Sequence, residues 1–468
     1  MKYYLAVDIG ASSGRHILCS VQSGKMVLEE VYRFENGMKD INGHKCWDSD
    51  ALFESIKAGM KKCAELEKIP VSLGIDTWGV DYILIDKNGN RLGDAVGYRD
   101  GRTSTIESDV YKIIPEKELY ARTGIAKQLF NTIYQLAANK KENPQQLEEA
   151  ETLLMSPDYY NYMLTGIKAS EYTIASTGQL VSPETKDWDY ELIEMLGLPK
   201  KIFTPLKKPG TLLGKLKKEV AEEVGFDCDV IMVTSHDTAS AVLAVPSKTS
   251  KFSYISSGTW SLQGVELEKA ICNELSRKNN FTNEGGYNYK YRFLKNIMGL
   301  WMIQSVRHEL NDAYSFAELC AMAEEVKDFP SRVDVDDACF FAPDSMIKAL
   351  QDYCEKSGQP VPKTPGELST VVYQSLAEDY AKAIKDIEQM TGEKYDSINI
   401  VGGGSNAAYL NQLTADKSGK TVYAGPGEAT AIGNIACQML ALGDFKDVQE
   451  ARDCIFDSFE VKTFKPEA

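Results

Sequence analysis

The sequence predicts an α/β chain built of two β-rich halves of similar plan, and three observations predict it. The chain opens on a strand, a Ser/Gly turn and a strand over Ala6–Leu18, and the same order returns over Phe252–Val265. In both halves strand-like runs then alternate with segments of helical period. At roughly 150 residues per domain, 468 residues leave room for two to three domains with a sizeable core. The halves divide near residues 245–250, which gives domains 1–245 and 246–468. The repeat lies in element order rather than in letters, so two unrelated domains remain the alternative.

Tyr3–Ile9 is an apolar, β-prone run stopped by Gly10; Arg15–Val21 and Met26–Phe34 follow across polar turns and make an antiparallel meander. Asp48 to Asp50 form an N-cap cluster, and Leu52, Phe53, Ile56, Met60 and Cys63 recur at helical spacing, so a helix is expected over 48–67. Strands follow at Val71–Asp76 and Tyr82–Ile85. The stretch 115–200 reads as a mostly helical, Tyr-rich insert, with helical segments at Leu119–Thr123, Asn131–Lys141 and Gln145–Tyr162. Gly225–Val233 returns to strand and Ala239–Val245 to helix. The second half runs Phe252–Ser256 and Trp260–Val265 as strands, Ser397–Val401 as strand, Gly402 to Gly404 as loop and Ala407–Ser418 as helix. Thr421–Ala424 is its last strand and Ala429–Leu442 its last helix.

Hydrophobic residues at 43% and charged residues at 26% are ordinary globular usage and exclude collagen-like and disordered chains. The net charge of −16 argues against a general grip on nucleic acid or an anionic membrane, so neither is an expected partner. Asp8 and Gly10 break the first apolar run, so no signal peptide is expected, and no run reaches the ~18 apolar residues of a membrane span. The expectation is a soluble, cytoplasmic chain, a monomer or weak homo-oligomer. The ten cysteines form no C-x-x-C pair, which points to reduced, small core residues rather than a zinc or redox site.

Five motifs carry chemistry. In Asp8-Ile-Gly-Ala-Ser-Ser-Gly-Arg15, Gly10 and Gly14 permit a tight turn, Ser12 and Ser13 add donors and Arg15 a charge, a possible phosphate cradle. Asp8 could hold a metal through its water shell; an ordinary hairpin would want the same glycines and serines. Ser256-Ser-Gly-Thr259 repeats the chemistry in the second half, and Gly402-Gly403-Gly404 opens a helix where backbone can lie against a nucleotide. In Ser235-His236-Asp237-Thr238 a strand feeds a helix: Asp237 fits either a base that takes a hydroxyl proton or a helix cap, and His236 either a polyol contact or a satisfied structural histidine. Thr77-Trp78-Gly79-Val80-Asp81 combines an aromatic face with a carboxylate, as sugar sites do, or is a strand bulge with a core Trp. No Walker A occurs, because Thr414 stands where its first glycine is needed ahead of Gly419-Lys420-Thr421. No G-x-G-x-x-G follows a strand, and the protein-kinase motifs are missing.

Taken together, these residues resemble the FGGY carbohydrate kinases, whose fold is actin-like and of the hexokinase type. DIGASSGR looks like the first phosphate loop of that family, SSGTWSL (256–262) its second and IVGGGSNA (400–407) its adenosine loop. IDTWGVD (75–81), YRDGRT (98–103), SHDTASAV (235–242), TNEGG (282–286), LKNIMGLW (294–301) and AGP (424–426) extend the likeness in order along nearly the whole chain. The resemblance implies two actin-like (ribonuclease H-like) domains with a central cleft, sugar on the first and nucleotide mainly on the second. It implies ATP-dependent phosphorylation of L-rhamnulose at its 1-hydroxyl, with ATP and Mg²⁺ as cofactors. It makes Asp237 the base, and Gly79, His236, Asp237, Thr238 and Asn296 the sugar contacts. It makes Ala11, Ser12, Ser13, Gly14, Arg15, Thr259, Gln304 and Gly402 the nucleotide contacts, with Asp8 in the magnesium shell. No disulfide is carried over, and no function is assigned after Gly443. A kinase for another ketose, such as L-fuculose or xylulose, and a non-catalytic actin-like ATP-binding protein are the rival readings.

Overall fold

A computed structural model describes residues 1–249 and 251–467. The chain forms two compact units. Unit one holds residues 1–244, 267–293 and 430–458; unit two holds 245–266, 294–429 and 459–468. The leading segment of the first unit ends at Ala244, and two later segments return to that unit. One of them, 430–458, carries most of the helix Ala429–Ala441. Its Gln438 amide donates to the Leu5 carbonyl at 2.9 Å, and its Gly433 lies against Ser240 where a side chain would strike the Ser240 carbonyl.

The sheet of unit one has the order Thr211–Lys215, Asp229–Met232, Pro70–Thr77, Tyr3–Ile9, Ser13–Gln22, Lys25–Glu35. The last three strands form the antiparallel meander; Tyr3–Ile9 then pairs in parallel with Pro70–Thr77, which brings Asp8 opposite Asp76. A parallel neighbour needs a crossover. The helix Ser49–Glu65 supplies it, capped by the Asp48 side chain accepting from the Ala51 N–H at 3.0 Å. Its buried Leu52, Ile56, Met60 and Cys63 pack into the sheet's core, each large apolar side chain contributing about 1.5–3 kcal/mol. His16 is part of this core. Its ring occupies the space a Cβ on Gly59 would need, its Nε2 bonds the Ile56 carbonyl at 3.0 Å, and burial pushes it down to about 4.

The insert has a hydrophobic core of its own around Ile133, Tyr134, Leu153, Leu180 and Trp188. Here the helical reading of Gln145–Tyr162 is corrected. The segment divides into the helix Pro144–Glu149, the strand Thr152–Met155 and the helix Ser156–Thr165. Thr152–Met155 pairs antiparallel with Tyr82–Ile85, and all four of its residues are buried. A strand covered on both faces shows no alternation, so periodicity could not separate it from helix.

Unit two repeats the plan. Ser253–Ser257 pairs antiparallel with Trp260–Leu267 on one side and parallel with Ser397–Val401 on the other, followed by the parallel Thr421–Ala424 and the antiparallel Lys462–Phe464. The 27-residue helix Pro365–Thr391 lies between the early and late strands, opened by a Thr364/Glu367 capping box and closed by Gly392 in the left-handed region. Among the described residues no helix is long and apolar enough to cross a membrane.

Candidate active site

In unit one the chemistry gathers at the carboxyl ends of parallel strands. Thr77, at the end of Pro70–Thr77, donates its N–H to the Ser235 carbonyl at 2.9 Å and bridges to His236, so the 75–81 and 235–238 motifs are neighbours. Asp8 and Asp76 stand side by side at the penultimate positions of their strands. Asp8 pairs with Arg15 at 3.0 Å, and Asp76 accepts from the Asn434 amide at 2.6 Å. Burial pushes both carboxyls up, Asp76 furthest. The Asp8 charge lifts Asp76 further while Asn434 opposes it, and Arg15 opposes the rise at Asp8. Asp237 opens the helix Asp237–Leu243; its Oδ1 accepts from the Thr238 N–H and hydroxyl, and its side chain stays one-third exposed. A carboxylate with a fixed rotamer, open on one side, is suited to meet a hydroxyl.

The loop ahead of it is clamped from below. Glu171 caps the short helix Tyr172–Ala175 and also accepts from the Ser235 N–H at 3.2 Å, while the Thr173 hydroxyl accepts from the His236 N–H at 3.3 Å. Burial lifts Glu171 to about 7 against those hydrogen bonds. His236 is buried; its Nδ1 lies 2.9 Å from Arg292 and its Nε2 lies 3.4 Å from Asp237. His236 is thus a satisfied, buried histidine that also adjoins Asp237.

The aromatic-face reading of Trp78 is corrected. Trp78 is a core residue: its ring lies on that of Trp47 with centroids 4.1 Å apart, and both indoles donate to the buried Asp81, at 2.8 and 2.7 Å. The half-buried group in this turn is Gly79, whose missing side chain leaves room for Thr177. Val80 follows at φ +68°, a strained angle for a β-branched residue. Hydrogen bonds hold it there: its N–H donates to Thr177 at 3.0 Å and its carbonyl accepts from Thr132 at 2.6 Å.

The turn Gly10–Ser13 closes on itself, Gly10 N–H to Ser13 carbonyl at 2.9 Å, and Asn36 pins it through the Gly10 carbonyl at 2.8 Å. Ser12 is exposed, Ala11 and Ser13 half-buried, and Gly14 admits the Phe34 ring. Arg15 is engaged with Asp8, so its charge offsets that of the acidic pair.

In unit two the turn at Ser257–Thr259 carries an exposed Thr259, and the Leu300 and Trp301 N–H groups donate to the Gly258 and Thr259 carbonyls. This seats the helix Trp301–Glu309, and with it Gln304, beside the turn. The glycine run packs on the same turn: a Cβ on Gly404 would lie 1.9 Å from the Ser257 hydroxyl, and Gly402 has φ +83° with a Cβ path 2.9 Å from the Ser257 carbonyl. Thr259, Gln304 and Gly402 thus belong to one neighbourhood. Asn296, on the strand Tyr291–Met298, belongs to unit two as well, whereas Gly79, His236, Asp237 and Thr238 belong to unit one.

Two family models match the chain: the N-terminal domain of the FGGY family of carbohydrate kinases over residues 3–244 and its C-terminal domain over 253–442. The chain belongs to the FGGY family of carbohydrate kinases. Its fold is the actin-like, ribonuclease H-like fold of that family, and it is a sugar kinase. Among its relatives, a rhamnulokinase of Halalkalibacterium halodurans is 51% identical over 99% of both chains. A rhamnulokinase of Bacillus subtilis is 44% identical over 99% of this chain and 95% of its own. Solved structures share the fold at low identity. A ligand-bound xylulose kinase from Lactobacillus acidophilus has a TM-score of 0.81 at 16% identity, covering 100% of this chain and 94% of that one. Plasmodium falciparum glycerol kinase with ADP has 0.79 at 14%, covering 100% and 95%.

Asp76, Asn434, Glu171, Glu284 and Arg292 are residues that the motif reading missed. A carboxylate ending the mostly apolar run Val71–Ile75 was the available signal for Asp76, whereas Glu284 and Arg292 lie on strands that carry other polar residues.

Proposed function

We propose that this sugar kinase transfers the γ-phosphoryl group of ATP to the 1-hydroxyl of L-rhamnulose, giving L-rhamnulose 1-phosphate and ADP in L-rhamnose catabolism. The observation that carries the substrate is the identity to rhamnulokinases, 51% and 44%, sustained along nearly the entire chain. In this reading Gly79, His236, Asp237, Thr238 and Asn296 hold the ketose. Ala11, Ser12, Ser13, Gly14, Arg15, Thr259, Gln304 and Gly402 hold the nucleotide. The ketose oxygen attacks the γ-phosphorus in line, the bond to the β-γ bridging oxygen breaks, and Asp237 takes the hydroxyl proton. The helix start keeps the Asp237 carboxylate aimed, through its bonds from Thr238.

The acidic pair fits a hydrated Mg²⁺. Asp8 and Asp76 offer hard oxygen donors, and Asp76 Oδ1 is buried with no hydrogen-bond partner. Among the described residues no cluster of three or more ligands forms a complete cage, which suits a magnesium that keeps waters and phosphate oxygens. When bound it would neutralise charge on the transferring phosphates. Burial raises the pKa of both carboxyls, and the nearby Asp8 charge raises that of Asp76 further. We place the enzyme in the cytoplasm, as a monomer or weak homo-oligomer.

The test is a panel of ketoses with coupled ADP detection. L-rhamnulose should give the highest kcat/KM; a higher value for L-fuculose or xylulose would assign a different ketose. ADP and inorganic phosphate without any sugar phosphate would mark a nucleotide hydrolase instead.

A further inference from the structure

We infer that Arg292 fixes the tautomer of His236, so that the imidazole presents an Nε2–H donor toward Asp237 and toward an acceptor oxygen of the bound ketose. The inference rests on the sugar-kinase reading only for the identity of that oxygen. The guanidinium of arginine carries donors alone and keeps its charge in proteins. Arg292 Nη2 lies 2.9 Å from His236 Nδ1, so Nδ1 must offer its lone pair. A neutral imidazole with an acceptor at Nδ1 carries its proton at Nε2. That nitrogen lies 3.4 Å from Asp237 Oδ1.

The competing arrangement, an Nδ1–H donated to Glu284, fails on geometry. Glu284 Oε2 is 3.4 Å from Nδ1, and an N–H there would point at the guanidinium. Glu284 instead balances the charge of Arg292, 3.0 Å away. Arg292 cannot swing aside. It is fully buried, and its Nε donates to the Gly285 carbonyl at 2.8 Å. Gly285 itself is held against the Tyr172 ring. Removing the arginine would leave Glu284 buried without its cation. The groups facing the imidazole are thus Arg292, Glu284 and Asp237, and only the first dictates where the ring proton sits.

The consequence is a division of labour. With its Nε2 lone pair used by hydrogen, His236 cannot take the substrate proton, and Asp237 is left as the base. His236 reads the ketose as a donor to an oxygen lone pair. Arg292 is a positioning residue: it acts on the sugar through His236.

Full-length protein labelled with ¹⁵N-histidine contains four histidines, and a His236→Asn sample identifies the peak of interest. Two-bond ¹⁵N–¹H correlation at neutral pH should show a pyrrole-type Nε2 and a pyridine-type Nδ1 for His236 in the ligand-free protein. A proton on Nδ1, or on both nitrogens, overturns the inference. In folded Arg292→Met the ring proton should move to Nδ1, toward Glu284. KM for the ketose should rise about tenfold, the loss of one hydrogen bond, with KM for ATP unchanged. A folded Arg292→Met protein that keeps Nε2–H removes Arg292 from the account. Where that variant does not fold, the wild-type spectrum decides alone. The spectrum reads the tautomer whichever sugar is phosphorylated, so a failed ketose panel with the Nε2–H pattern intact overturns only the substrate.

Discussion

The turn after Tyr3–Ile9 and the turn after Ser253–Ser257 close corresponding hairpins, each with a parallel strand on its far side. One step before the strand ends, the first unit pairs Asp8 with Asp76, and the second pairs Ser256 with Val401. The same backbone plan therefore carries charge in one unit and none in the other. What the second unit has instead is shape: the glycines 402 and 404 lie so close to Ser257 that no side chain fits between them. One turn carries paired charge, the other close-packed glycine backbone.

Substitutions can break that contrast, and the largest effect is expected on the charged side. Asp237→Asn keeps the helix-start hydrogen bonds yet cannot accept a proton. Its kcat should fall about 10²–10⁴-fold, with sugar binding retained by calorimetry. A near-normal kcat would remove Asp237 from the chemistry. On the shape side, Gly404→Ala forces Ser257 or the glycine backbone to move. We expect about 1–3 kcal/mol of lost stability and a raised KM for ATP, with KM for the ketose little changed. An unchanged KM for ATP would show that the close approach serves packing alone.

The smallest effect is on pH dependence. Asp76 has its folded-state pKa raised above the ordinary 3.8 by burial and the neighbouring Asp8. The native state therefore binds a proton that the unfolded chain has released. Stability from this group is complete below its unfolded pKa and is lost as pH rises through the folded one, with a slope of at most about 1.4 kcal/mol per pH unit. Glu171, raised to about 7, acts with the same sign. Asp76→Asn should flatten the decline in unfolding free energy as pH rises above the ordinary carboxylate range. An equal slope in wild type and variant would mean that the pair carries no extra proton.

How much of this was legible in the sequence follows the range of the interactions. Strands Tyr3–Ile9, Tyr82–Ile85, Ser397–Val401 and Thr421–Ala424 have the bounds their local patterns predict, because turn residues and apolar runs set them locally. The motifs at Ala11–Arg15 and Ser235–Thr238 were visible because glycine, serine and acid cluster within a few residues. The two readings of Trp78 could not be separated locally, since only the distant Trp47 and Gln135 make Asp81 an interior acceptor for it. Arg292 and Glu284 stand 56 and 48 residues after His236, and no local pattern joins them. The return of 430–458 to the first unit depends on Asn434 and Gln438 meeting strand backbone more than 350 residues away.

The central claim, phosphoryl transfer to the 1-hydroxyl of L-rhamnulose, is tested most directly by phosphorus NMR of the product formed from ATP and L-rhamnulose. The account predicts a new phosphomonoester signal coupled to the two C1 protons of the ketose. A phosphomonoester on another carbon, or inorganic phosphate with no sugar phosphate, would contradict it.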